Sequence, residues 1–188
     1  KGIWQLQTGQ GAIAARIVVN AAGNYGDLVE TIARPSPFAI KPRKGQVVVF
    51  DKPAYKLLRA IVLPVPTART QGVVLFRTAY GNLAVGPPAE DQAEREIATC
   101  DHETLEKLKS RAVEMLPALA GIDVNAIYAG LRPASDQKDY VIEAVKDRNW
   151  ITVGGIRSTG LTAALGIADY ASQLYAKNFG KLPKKPAE

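Results

Sequence analysis

Ile151-Thr152-Val153-Gly154-Gly155-Ile156-Arg157-Ser158-Thr159-Gly160-Leu161-Thr162-Ala163-Ala164 is the stretch whose reading decides the fold. An apolar run ends in paired glycines, and a loop of small residues opens directly into a helical pattern. Such a junction aims free backbone N–H groups and the positive end of the helix dipole at whatever lies beyond the loop. Two plainer readings stand beside that one. Ser158 or Thr159 can cap the helix, and strand-Gly-Gly-helix connections also occur where nothing binds. The loop is not a Walker motif, because no Gly-Lys-Ser/Thr closes it.

Downstream, the periodicity predicts a helix from about Leu161 to Tyr175, with Leu161, Ala164, Leu165, Ala168, Ala171, Leu174 and Tyr175 facing inward. Gly180 can cap its exit, and Lys181 to Glu188 reads as a polar, proline-bearing linker. Upstream lie candidate strands at Trp150 to Val153, about Tyr140 to Val145 and about Ala126 to Leu131. A clear amphipathic helix precedes them from about His102 to Leu116, with Asp101 as N-cap and Leu105, Leu108, Ala112 and Met115 on one face. Between Gly45 and Gly86, short β-branched runs at Val47–Phe50, Ala60–Leu63, Val73–Phe76 and Leu83–Val85 predict an antiparallel meander, with a turn at Tyr80-Gly81-Asn82. The opening predicts a hairpin: Trp4 to Thr8, a turn at Gly9-Gln10-Gly11, and a strand from about Ala14 to Val19. Ile17-Val18-Val19 reads as buried on both faces. That strand ends in Asn20-Ala21-Ala22-Gly23, small enough for a ligand or another backbone to approach. A short helix from Leu28 to Ile32 follows, closed by Pro35 and Pro37.

The bulk numbers limit the options. The chain has 188 residues, 47% of them hydrophobic, which is enough to bury a core. The net charge of +6 comes from scattered basic residues, with a tight cluster only at Lys181, Lys184 and Lys185. No aromatic residues interleave with them as a single-strand-binding groove requires, and the charge suits a small anionic substrate equally well, so charge alone does not decide. The single cysteine, Cys100, excludes an internal disulfide and fits a reducing, cytoplasmic compartment. No apolar run reaches the roughly 20 residues that span a bilayer, which leaves peripheral membrane contact open, with the basic tail able to contribute to it but read first as a solvated linker. The start, Lys1-Gly2-Ile3-Trp4, has no initiator methionine and no signal-peptide core, so the sequence is expected to begin within a longer protein.

Few side chains carry chemistry. In Tyr128-Ala129-Gly130-Leu131-Arg132-Pro133-Ala134-Ser135-Asp136, Pro133 biases Arg132 toward an extended backbone at a strand end. A guanidinium held there can grip a carboxylate or phosphate through two parallel hydrogen bonds, or pair with Asp136 or Asp139 instead. His102, the only histidine, reads as a solvated helix-end residue. Cys100 has no basic partner nearby and reads as inert. No His/Cys/carboxylate cluster has metal-ligand spacing.

Taken in order, Val18-Val19-Asn20-Ala21-Ala22-Gly23, Pro42-Arg43-Lys44-Gly45-Gln46, Tyr80-Gly81-Asn82-Leu83-Ala84-Val85-Gly86-Pro87, Ala129-Gly130-Leu131-Arg132-Pro133 and Gly155-Ile156-Arg157-Ser158-Thr159-Gly160-Leu161-Thr162 resemble the D-amino-acid-oxidase-like FAD-dependent oxidoreductases. The closest resemblance is to the glycerol-3-phosphate dehydrogenase and L-2-hydroxyglutarate oxidase branch. It implies that Ala21, Ala22 and Gly23 end a strand beside the cofactor. It further implies that Gly155, Arg157, Ser158, Thr159, Gly160, Leu161 and Thr162 form the loop and helix start next to the isoalloxazine. Arg132 matches the arginine that anchors the substrate's anionic group. Tyr80 stands where many relatives carry a histidine in a Thr-x-His-Gly-Asn turn, and a tyrosine is the poorer base, since a phenol holds its proton to about pH 10. Tyr80, Arg132 and Arg157 are therefore the catalytic candidates.

The family's opening strand–GxGxxG–helix unit, which cradles the FAD pyrophosphate, has no counterpart here. Gly9-Gln10-Gly11 is the nearest string, and it joins two strands. The expected fold is α+β: a mainly antiparallel substrate domain over residues 39–147 with one packed helix, and strand and helix elements of an incomplete Rossmann-like FAD domain at 1–38 and 148–176, with 177–188 as tail. A missing N-terminal FAD-binding segment would complete the flavin site, so FAD belongs to the complete protein and this chain by itself is expected to be inactive. The activity implied is oxidation of glycerol 3-phosphate or a 2-hydroxy acid by hydride transfer to FAD. An amino-acid or amine oxidase, or a non-catalytic ligand-binding module, are the alternatives.

Overall fold

The structure is a computed structural model that describes residues 2–65 and 72–180. Its strands are β1 (Trp4–Thr8), β2 (Gly11–Ala15), β3 (Val18–Asn20), β4 (Arg43–Phe50), β5 (Val74–Arg77), β6 (Leu83–Gly86), β7 (Glu90–Asp91), β8 (Val124–Arg132), β9 (Val141–Val145) and β10 (Trp150–Gly154). Its helices are α1 (Gly26–Glu30), α2 (His102–Met115) and α3 (Gly160–Phe179). The mixed α+β class with antiparallel strands predominating is as expected. Two compact units divide the chain: residues 1–42 with 132–188, and residues 43–131. The linker expected at 181–188 lies outside the described residues.

In the first unit, β10 lies between β3, its parallel neighbour, and β9, its antiparallel one. Trp150, Ile151, Thr152 and Val153 are all buried, so the pattern of a strand covered on both faces belongs to β10. It does not belong to Ile17-Val18-Val19. There the chain breaks between β2 and β3, and Val19 on the sheet-edge strand β3 is 52% exposed. The hairpin β1–β2 turns on Gly9-Gln10, with Thr8 paired to Gly11, whose φ of +122° suits a residue without a Cβ. Trp4 carries this hairpin onto β10: its ring stacks 5.4 Å from that of Trp150, and its indole N–H donates to Arg148 O at 3.0 Å. Residues 141–145, expected within the 39–147 substrate domain, join this first sheet because β9 pairs along its whole length with β10.

The helix α3 has the expected position, and its covered face agrees with the expected one only toward its C-terminal end. Its partly covered residues include Ala163, Ile167, Ala171, Leu174 and Tyr175, the last three of them expected to face inward, and it packs along β9 and β10. Leu161, Ala164, Leu165 and Ala168, assigned to the inward face from the sequence, are exposed, Leu161 by 94%. The reason is phase. Both sides of this helix carry apolar residues, so its sequence period does not choose between them, and the choice falls to the sheet.

In the second unit the strand order is β5-β6-β4-β7, with β8 also pairing β4. The segment at Ala60–Leu63 forms no strand, only a bridge in which Val62 and Leu75 exchange N–H···O bonds of 2.9 and 3.0 Å. The four-strand meander is thus replaced by an arrangement in which the last strand, β6, is inserted beside the first, β4. Val48, Phe50, Leu75, Leu83 and Val85 make the sheet's share of the core, and α2 closes it with Leu108 and Ala112. The cap read from the sequence is present: Asp101 accepts from Thr104 N at 2.8 Å. Its carboxyl is held well below the usual range, first by that backbone donor and then by Gln46 and Lys44.

Candidate cofactor-binding site

The first unit concentrates the candidate residues. Because β3 and β10 are parallel, with Asn20 opposite Thr152, their carboxyl ends point the same way. Ala21-Ala22-Gly23 leaves the sheet from one and Gly154-Gly155 from the other. The carboxyl edge of adjacent parallel strands is where α/β sheets bind ligands, because the following turns and helix N-termini supply uncommitted N–H groups.

Each segment is fixed from below. Glu30, with no exposed surface, accepts from Asn20 Nδ2 (2.9 Å), Trp150 Nε1 (3.0 Å), Thr152 Oγ1 (2.7 Å) and Arg34 Nε (2.8 Å). Burial alone would raise its pKa, and the donors from Asn20, Thr152, Arg34 and Trp150 outweigh that and lower it. Asn20 in turn accepts from Ala22 N at 3.3 Å, which ties the first segment to the same carboxylate. Gly23 has a φ of +56°, and a Cβ there would meet nothing within 4 Å, so open space lies on that side.

The second segment is packed tightly at its start and open at its end. A Cβ on Gly154 would fall 2.6 Å from the Phe38 ring, and one on Gly155 2.9 Å from Ser135 Oγ. Arg157 N then donates to Gly155 O at 2.8 Å, while its side chain is exposed. Thr159 adopts a left-handed backbone (φ +57°) and makes no side-chain cap, so the plainer reading of Thr159 or Ser158 as a helix cap does not hold. Ala163 N donates to Thr159 O, the first bond of the helix, and no side chain caps the amides of its opening turn: Gly160, Leu161 and Thr162.

Arg132 ends β8, and Ala134 N closes a turn onto its carbonyl at 2.8 Å. Three residues on, Ser135 lies against Gly155, so the strand carrying Arg132 leads directly to the loop. Asp136 and Asp139, the alternative ion partners, accept from the backbone N–H groups of Ala39 and Tyr140. Tyr80 belongs to the second unit, where it is 86% exposed on a turn closed by Thr78 N to Asn82 O (2.8 Å). Among the described residues no metal-binding group of His, Cys, Asp or Glu occurs, and no helix is long and apolar enough to cross a membrane. Cys100 and His102 are both exposed. Sequence reasoning missed Glu30, Ser135 and Tyr140, because only tertiary packing, of α1 on the sheet for Glu30 and of the chain around β9 and β10 for the others, brings them to these segments.

Two small-residue segments leave one edge of a parallel strand pair, and one of them opens a helix whose preceding residue makes no side-chain cap, the kind of edge at which α/β sheets bind ligands. The chain belongs to the FAD dependent oxidoreductase family, whose model matches residues 1–174. It is 31% identical over 186 residues to the glycerol 3-phosphate dehydrogenase of Caloramator mitchellensis, covering 97% of this chain and 38% of that protein. It is 36% identical over 162 residues to the glycine oxidase of Pseudomonas putida, covering 85% and 41%. The L-alpha-glycerophosphate oxidase of Mycoplasma pneumoniae, solved dithionite-reduced with FAD bound, superposes with a TM-score of 0.83 at 29% identity over 99% of this chain and 49% of that one. The chain thus spans less than half the length of these relatives, and FAD is the cofactor that membership of this family assigns.

Proposed function

We propose that this chain supplies the flavin-edge loop and the substrate-side unit of an oxidoreductase that acts on a small anionic substrate, glycerol 3-phosphate or a 2-hydroxy acid. The observation that carries this reading is the shared exit of Ala21-Ala22-Gly23 and Gly154-Gly155 from neighbouring parallel strands, followed by an α3 N-terminus without a cap. The donor set fits FAD: amide N–H groups and small residues suit a flat, polar-edged ring system, and a Cβ on Gly23 would meet nothing within 4 Å. FAD, when bound, supplies the hydride acceptor.

The chain's own residues do the rest. Gly160, Leu161 and Thr162 present N–H groups and a helix dipole to an electron-rich edge. Gly155, Arg157, Ser158 and Thr159 shape the approach to it, with the Arg157 guanidinium adding positive charge. Ala21, Ala22 and Gly23 border the ring on the β3 side. Arg132 grips the substrate's phosphate or carboxylate, which orients the C–H bond to be broken. An amino-acid substrate is the second reading, favoured by the 36% identity to a glycine oxidase.

The test is anaerobic. The complete protein, purified with FAD, is mixed in turn with glycerol 3-phosphate, L-2-hydroxy acids and glycine, and the flavin absorbance is followed. Bleaching by glycerol 3-phosphate or a hydroxy acid is the expected result. Bleaching by glycine alone would move the assignment to the second reading, and failure to bind FAD would leave a non-catalytic binding module.

A further inference from the structure

We infer that Tyr140 is a positioning residue of the flavin loop: its hydroxyl holds Ser158 and Thr159 in the one conformation that leaves the α3 N-terminus open to the cofactor. This rests on the reading of that loop as the flavin edge. Register delivers the side chain. Val141 pairs with Gly154 across β9 and β10, so Tyr140, one residue earlier, comes level with the loop that begins at Gly155. Its backbone is pinned by donation from Tyr140 N to Asp139 Oδ1 at 2.7 Å.

The tyrosine hydroxyl bonds to Ser158 O and lies 2.8 Å from Thr159 Oγ1, which is itself 2.7 Å from Ser158 O. The two hydroxyl protons can fill only two of these three contacts at a time, and in every arrangement the tyrosine hydroxyl stays bonded to the loop. The consequence falls on the helix. A threonine just before a helix ordinarily takes an extended backbone and turns its oxygen onto the second or third amide of the opening turn. Thr159 does neither: its φ is +57° and its hydroxyl points to Tyr140 and Ser158. A β-branched residue in the left-handed region is strained and persists only where its surroundings hold it there. Tyr140 is the side chain that holds it. Without the phenol oxygen, Thr159 is released to relax toward an ordinary cap, and the amides a flavin would use are then satisfied from within the chain.

The conservative variant Tyr140→Phe keeps the ring and deletes only the oxygen. In flavin-free protein, amide hydrogen exchange at residues 158–162 is expected to change several-fold relative to β10, while far-UV circular dichroism stays the same. In the complete protein, FAD is expected to dissociate roughly three- to tenfold more readily, as loss of about one net hydrogen bond implies. The flavin's reduction potential should become more negative, because the helix-end amides, now capped from within the chain, no longer favour charge on the reduced ring. Replacing Thr159 with Gly, which adopts the left-handed backbone without strain, is expected to shrink the effect of Tyr140→Phe, since the tether then has less to hold. If Tyr140→Phe lowers the melting temperature but leaves exchange in the loop, FAD affinity and potential unchanged, the tyrosine is only a packing residue and the inference fails. A wild-type protein that binds no FAD would instead sink the functional reading, and the exchange experiment would still judge the tether.

Discussion

Glu30 is a carboxylate sealed inside the first unit, and its four donors come from Asn20, Arg34, Trp150 and Thr152. Since its pKa is lower in the folded chain than in the unfolded one, it binds its proton more readily when unfolded. Its contribution is therefore complete above the ordinary carboxylate pKa and is lost as pH falls through the lowered folded value. Thermal melting between pH 7 and pH 3 should show stability falling on the acid side, and Glu30→Gln should flatten that fall while lowering stability at pH 7. A Glu30→Gln protein with the wild-type acid slope would remove Glu30 as its source. Glu30→Ala leaves buried donors facing one another and is expected to cost roughly 3–5 kcal/mol. Arg132 belongs at this scale too, under the proposed function. Arg132→Ala in the complete enzyme should raise KM for an anionic substrate by the equivalent of roughly 2–4 kcal/mol of charge-paired binding, with flavin content unchanged. An unaltered KM would return Arg132 to a purely structural ion pair.

At the level of elements, sequence pattern located nearly every strand and helix and often misjudged which side each one presents. The α2 face was legible because Leu108 and Ala112 alternate with charged neighbours, so one phase is affordable and the other is not. The α3 face was legible only at Ala171, Leu174 and Tyr175, because nearer its start leucine and alanine line both of its sides. The glycines after β10 were legible as a junction, but the need for them is tertiary: Phe38, over a hundred residues earlier, packs against Gly154. A methyl group at Gly154 would sit 2.6 Å from the ring, well inside contact distance, and must displace it or bend β10. Gly154→Ala is therefore expected to destabilise the first unit by about 1–3 kcal/mol. Because β10 leads straight into the loop, FAD binding should weaken in the same variant. Coupling Gly154→Ala to Phe38→Leu, which makes room, should recover part of both losses in melting and flavin-titration experiments. No recovery would mean the strain lies in the backbone.

For the whole molecule, the sequence made the order of motifs readable and left their partition into two bodies obscure. Nothing local in residues 141–145 says whether that strand belongs with β8 before it or with β10 after it. Pairing alone places it, through a ladder from Trp150–Val145 to Gly154–Val141. The partition has energetic content. Every member of the second unit's buried cluster, from Val48 to Leu119, comes from residues 43–131, whereas Phe38, Ile40, Trp150, Ile151 and Val153 are buried in the first unit. A cavity in one cluster removes contacts from that cluster alone. Leu83→Ala, at a fully buried position of β6, should cost roughly 2–5 kcal/mol. Its effect on hydrogen exchange should concentrate in β4, β5, β6 and α2, since partial openings follow cooperative units. Glu30→Gln should do the reverse and deprotect β3 and β10 first. If either substitution accelerates exchange equally in both sets of strands, the two clusters open as one cooperative body, and the division at 42/43 and 131/132 describes geometry without describing stability.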